Sequence, residues 1–68
     1  MKLTWKRLGL TTNEEWTVNV ALHGDVVMGV VLGHGRMYDW FVVAKPEFES
    51  DGISHTLRLA KHAVRIRV

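Results

Sequence analysis

Residues 54–68 read "SHTLRLAKHAVRIRV", and the two ways of reading them lead to different folds. Wound as a helix, the segment places Ile53, Leu57, Ala60, Val64 and Val68 in one stripe, with Arg58, Lys61, His62 and Arg65 opposite. Extended, it puts Leu57 and Leu59 on one face, and in its last five residues Val64, Ile66 and Val68 alternate with Arg65 and Arg67. For the helix, "SDGIS" (50–54) offers an N-cap, and Leu57, Ala60 and Lys61 are good helix formers. Against it stand three β-branched residues in strict alternation, the lack of a C-capping glycine, and Leu59 and Ile66 at the edge of the polar face. The alternation favours two strands joined by a one-turn 3₁₀ segment near residues 60–63.

What precedes this segment reads as an antiparallel meander. In "EEWTVNVAL" (14–22), Trp16, Val18, Val20 and Leu22 point one way and Thr17, Asn19 and Ala21 the other, the pattern of a half-buried strand. "HGD" is a tight turn with Gly24 available for positive φ. "VVMGVVLG" (26–33) follows as a strand apolar on both faces, with Gly29 where a strand bends sharply or another backbone comes close. "GHGR" supplies the next turn, "MYDWFVVAK" (37–45) a third strand ending before Pro46, and "PEFESDG" (46–52) a polar loop. With two further strands from residues 54–68, the expected fold is all-β, a small five-stranded antiparallel SH3-like barrel. The alternative is α+β, a three-stranded antiparallel sheet with one C-terminal helix.

Sixty-eight residues make a single domain, 1–68, that buries only about 60% of the surface its unfolded chain exposes. There is no cysteine, so neither disulfides nor a Cys-based zinc site can staple it, and self-association is one remaining source of buried area. A homo-oligomer is therefore expected. The longest apolar run, residues 26–32, is too short to span a bilayer, and "MKLTWKRLGL" lacks the apolar core of a signal peptide. A soluble, cytoplasmic protein with no membrane partner is the expectation. Net charge is +2, and after Asp51 the chain has four Lys or Arg and no acid, while Glu47, Glu49 and Asp51 cluster just before.

The run "VNVALHGDVVMGVVLGHGRMYDWFVV" (18–43) resembles the first motif of Sm-like proteins of the LSm and Hfq type: an alternating strand, Gly24 in the turn, Gly29 five residues later, then a loop and an apolar third strand. "LRLAKHAVRIRV" (57–68) resembles their second motif in outline, and "TWKRLGL" (4–10) would stand where the family has an N-terminal helix or a short first strand. The likeness covers roughly residues 16–68 and implies a small barrel, ring assembly through strand edges, and RNA binding. The chain departs from the family at the Asp and Asn that flank the loop of its RNA-binding members, places held here by Gly35 and Asp39. It departs again at the Arg-Gly pair of the second motif, where this sequence reads "AKH".

Chemistry-bearing constellations are few. His23, His34, His55 and His62 show no zinc-like local spacing, so no metal or cofactor is expected. Ser50, Ser54, Asp39 and Asp51 qualify for catalysis by residue type alone, without a nucleophile elbow, phosphate loop or paired-acid motif, so an enzyme is not expected. "HGRMYDW" (34–40) is the best site candidate. It joins Arg36 for a phosphate, Tyr38 or Trp40 for base stacking and Asp39 as an acceptor for a base edge. Tyr38 and Trp40 share a face, however, and one face of that strand must be core. In an Sm-like arrangement Lys61 and His62, in the turn between the last two strands, would approach this loop. The expected function is a non-enzymatic, regulatory RNA- or single-strand-binding module using Arg36, Tyr38, Asp39, Lys61 and His62. The alternative is a phage- or bacterial-type accessory protein that engages a larger protein machine through exposed Trp, Tyr and Arg residues.

Overall fold

The computed structural model describes residues 2–8, 16–43 and 50–68. Five antiparallel strands lie in one sheet in chain order: β1 (Thr4–Leu8), β2 (Trp16–His23), β3 (Val26–His34), β4 (Met37–Val42) and β5 (Gly52–Ser54). Helix α1 (Leu57–Arg67) follows and packs on β4, β3 and β5. The fold is mostly β, of the α+β class, and the sheet is open, so the expected barrel is not formed. Closing it required two strands from the last fifteen residues; residues 57–67 are helical instead, and β1 and β5 are the edges of the described sheet. The alternative class is the one adopted, with five strands rather than three. "TWKR" begins an edge strand, and the end of the "PEFESDG" loop supplies β5.

The helix wins through a cap and a docking site. Thr56 has extended backbone angles (φ −133°, ψ 150°), and its Oγ1 accepts a hydrogen bond from the Leu59 N–H at 3.1 Å, satisfying one of the amides a helix start leaves open. Arg65 and Arg67 in the last turn complement the negative end of the helix dipole, and the Val68 N–H closes that turn on the Val64 carbonyl at 3.2 Å without a glycine. Ala60 and Val64 are fully buried against the sheet. The helical cost of a β-branched residue is only some tenths of a kcal/mol, which such packing overrides. Leu59 and Ile66 do lie outside the buried stripe, 56% and 67% exposed, as the helical wheel requires.

Both hairpin turns follow the glycines. His23 pairs with Val26 and His34 with Met37, leaving two-residue loops whose first residues, Gly24 (φ 62°) and Gly35 (φ 61°), take the left-handed conformation of the hairpin-compatible turns. One irregularity interrupts the β2–β3 pairing: Ala21 stands opposite Gly29 and Leu22 opposite Val27, so Met28 is an extra residue. Its carbonyl accepts from the Val43 N–H at 3.1 Å.

The register also fixes which face is covered. Ala21, Gly29 and Val42 form one cross-strand row, Asn19, Val31 and Trp40 the next, and Thr17, Gly33 and Tyr38 a third, all on the helix side. A β-carbon on Gly29 would stand 2.5 Å from Val64 Cγ1, so the glycine marks where the helix, rather than a sharp bend, comes close. Tyr38 lies over Gly33, and Trp40 over Gly52, where a β-carbon would meet its indole at 2.7 Å. The core is Ala21, Val31, Trp40, Ala60 and Val64, with Asn19 buried beside it. The set Trp16, Val18, Val20 and Leu22, which hydrophobicity assigns to a core face, lies on the other side of the sheet.

Asp51 secures the approach to β5. Its Oδ2 accepts from the Val42 N–H at 2.7 Å, and its own N–H donates to the Trp40 carbonyl at 2.9 Å. The sequence-level acidic cluster thus includes one structural member, while Glu47 and Glu49 lie outside the described residues. Among the described residues no helix is long and apolar enough to cross a membrane.

Candidate functional site

Because Ala60 and Val64 point into the sheet, the basic residues of α1 are turned along its flanks. Arg58, Lys61, His62 and Arg65 come to line one side of a groove whose other wall includes Trp5 of β1. Its volume is about 740 Å³, within the usual range of ligand clefts. A smaller hollow of about 240 Å³, lined by Lys2, Leu3, Trp5 and Arg65, shares two of these residues and extends the groove toward the N-terminus.

Trp5 is the pivot of this surface. Alternation along β1 sends its ring to the helix side, opposite Ala21, where it is half-buried against the core. Lys61 Nζ lies 5.2 Å from the centre of that ring, a cation–π distance. Among the described residues, the walls of the two hollows carry Lys2, Arg58, Lys61 and Arg65, with His62, Leu3 and Leu59, beside the Trp5 indole, and no carboxylate is among them. Such a site attracts an anion and offers a flat surface to a ring. A second cation–π pair, Arg67 Cζ at 5.8 Å from the Trp40 ring, lies outside the groove and covers the nearly buried Trp40.

The residues expected to form one mouth are distributed over three surfaces. Lys61 and His62 belong to the groove but stand on the helix rather than in a strand-to-strand turn. Arg36 is exposed in the β3–β4 turn, next to Gly35. Tyr38 is half-buried on the helix side with its ring over Gly33. Asp39 faces the opposite side of the sheet, its Oδ1 accepting from the Ser50 hydroxyl at 3.2 Å. None of the last three lines the groove. Trp5, Lys2, Leu3, Arg58, Leu59 and Arg65 are the groove residues that the loop-centred reading missed. The helical wheel did group Arg58 and Arg65 with Lys61 and His62, and an indole between cations in "KLTWKR" (2–7) was the remaining signal.

No protein-family model, curated protein or solved structure matches this chain.

Proposed function

We propose that the chain is a nucleic-acid-binding module that takes single-stranded RNA in the groove between α1 and β1. The observation that carries this reading is the pairing of a half-buried indole with a ring of cations and no acid. Lys61, Arg58, Arg65 and Lys2 contact phosphates, while Trp5 provides the stacking surface that single-strand binders use without reading sequence. A base that stacks there displaces Lys61 from the ring and frees its ammonium for the adjoining phosphate. Because the contacts go to phosphate and to a π-face, weak sequence preference and strong salt dependence follow. A regulatory role would come from occupying an exposed strand.

Fluorescence anisotropy with a labelled oligouridylate tests this. Neutralising three to four phosphates on a single strand gives a slope of log K against log salt of about −2 to −3. Trp5→Ala is expected to weaken binding by about 1–3 kcal/mol and leave that slope unchanged, whereas Lys61→Ala lowers the slope by nearly one. Arg36→Ala separates the groove from the turn. An effect equal to that of Lys61→Ala would return the site to the β3–β4 loop, and salt-independent or absent binding would reject the reading altogether.

Leu59 and Ile66 favour a second reading, an accessory protein docked on a larger protein. They lie seven residues apart on α1, both more than half exposed as helix-in-groove anchors are, with Leu59 also lining the groove. That mode predicts a complex insensitive to salt and lost with Ile66→Asp.

A further inference from the structure

The groove consists of two hollows of unequal size that meet at one pair of side chains. Arg58, Leu59, Lys61 and His62 line only the larger, Lys2 and Leu3 only the smaller, and Trp5 and Arg65 line both. Trp5 and Arg65 are therefore the junction, with Lys2 on one side of it and Lys61 on the other. We propose that the smaller hollow is a terminal-phosphate site, which takes the phosphate monoester at one end of a bound strand between Lys2 and Arg65 while the first base lies on Trp5. A site of this kind depends on the nucleic-acid reading of the groove and adds to it the class of strand held best, one with a phosphorylated end.

Three features favour an end group over a further nucleotide. The first is size. At about 240 Å³ the smaller hollow falls below the range of clefts that hold a small organic ligand, roughly 300–1,000 Å³, whereas the larger, at about 740 Å³, lies inside it. A base with its ribose belongs in the larger hollow, and the smaller suits a phosphate group. The second is charge. Among the described residues, two cations and no carboxylate line the smaller hollow. A phosphodiester brings them a single negative charge, but a phosphate monoester carries about −1.5 to −2 at neutral pH and three acceptor oxygens. The Arg65 fork suits two of those oxygens and the Lys2 ammonium the third. Leu3, packed against the core, and the indole complete the wall with apolar surface, where charge-assisted hydrogen bonds gain strength.

The third feature is position. Lys61 Nζ lies 5.2 Å from the centre of the Trp5 ring on the larger hollow's side, so a base stacked on that ring has one neighbouring phosphate toward Lys61 and the other toward Lys2. Lys2 is held in place by its backbone: its carbonyl accepts a hydrogen bond from His23 Nδ1 at 3.2 Å, which ties it to the end of β2.

The test is competition anisotropy with oligouridylates about six nucleotides long, bearing a 5′-phosphate, a 3′-phosphate or hydroxyls at both ends, each displacing an internally labelled strand. A phosphate at one end is expected to raise affinity about tenfold over the hydroxyl strand and a phosphate at the other end to add little, the favoured end giving the polarity of the strand in the groove. Lys2→Ala should bring that ratio close to one and Lys2→Arg should retain most of it. Lys61→Ala, in the larger hollow, should weaken all three strands and preserve the ratio. Lys2 is exposed, so circular dichroism should show its variants folded, and a ratio taken within each variant separates selectivity from overall affinity. Equal binding of the three strands by the wild-type chain would overturn the site and leave the nucleic-acid reading standing. An equal gain from either end would report charge alone and overturn it too, as would a preference that survives Lys2→Ala. Failure of all three strands to bind would overturn both the site and the reading beneath it.

Discussion

The two faces of the sheet follow the same two-residue alternation yet are built on opposite plans. The helix side is made of small residues and large rings: Ala21, Gly29, Gly33 and Gly52, with Tyr38 and Trp40 laid over two of the glycines. The opposite side carries Val18, Val20, Val30, Leu32 and Phe41. Hydrophobicity by itself selects the second set as the core. The difference teaches that a helix chooses the face it can approach, and that glycines mark that face better than valines do.

Substitutions can break this comparison. Gly29→Val should do so most severely, because its first carbon already meets Val64 Cγ1 at 2.5 Å and the Phe41 carbonyl at 2.9 Å; the expected loss is about 3 kcal/mol by urea denaturation. Gly29→Ala combined with Val64→Ala should be more stable than the sum of the two single losses predicts, by about 1 kcal/mol, if the two sites touch. Val31→Ala, at a fully buried position on the helix side, should cost roughly 2 kcal/mol, measured the same way. Thr56→Ala removes the side-chain cap of α1 and should cost about 1 kcal/mol, with a matching loss of helical signal by circular dichroism. Val30→Thr sharpens the comparison from the other side. It should change stability by less than about 0.5 kcal/mol, measured the same way.

The strands from residue 16 to residue 42 and their turns were legible, because alternation and glycine placement are local signals and Gly24 and Gly35 do what a two-residue hairpin loop asks. The last segment was not. "VRIRV" alternates as a strand does, and the cap that starts the helix is a single threonine, Thr56, two residues past the "SDGIS" that offered itself as the start. In the sequence Gly29 marks a sharp bend or the close approach of another backbone, whereas in the structure the group that comes close is the Val64 side chain of α1. The site followed the same course. Lys61 and His62 belong to the candidate site in either reading, yet their neighbours depend on whether the segment is helix or strand, and the helix exchanges the Arg36 loop for Trp5, Arg58 and Arg65. Asp39 shows the limit of a motif-centred reading: it adjoins Tyr38 and Trp40 in sequence but alternation sends it through to the opposite face.

The account rests on which face the helix covers, and nuclear Overhauser contacts from the Val64 methyl groups decide that directly. The packing described here predicts strong cross-peaks from these methyls to the Gly29 α-protons and none to the methyl groups of Val20 or Val30. Cross-peaks from the Val64 methyls to the Val20 or Val30 methyls, or an extended-strand pattern of amide contacts across residues 57–67, would contradict it.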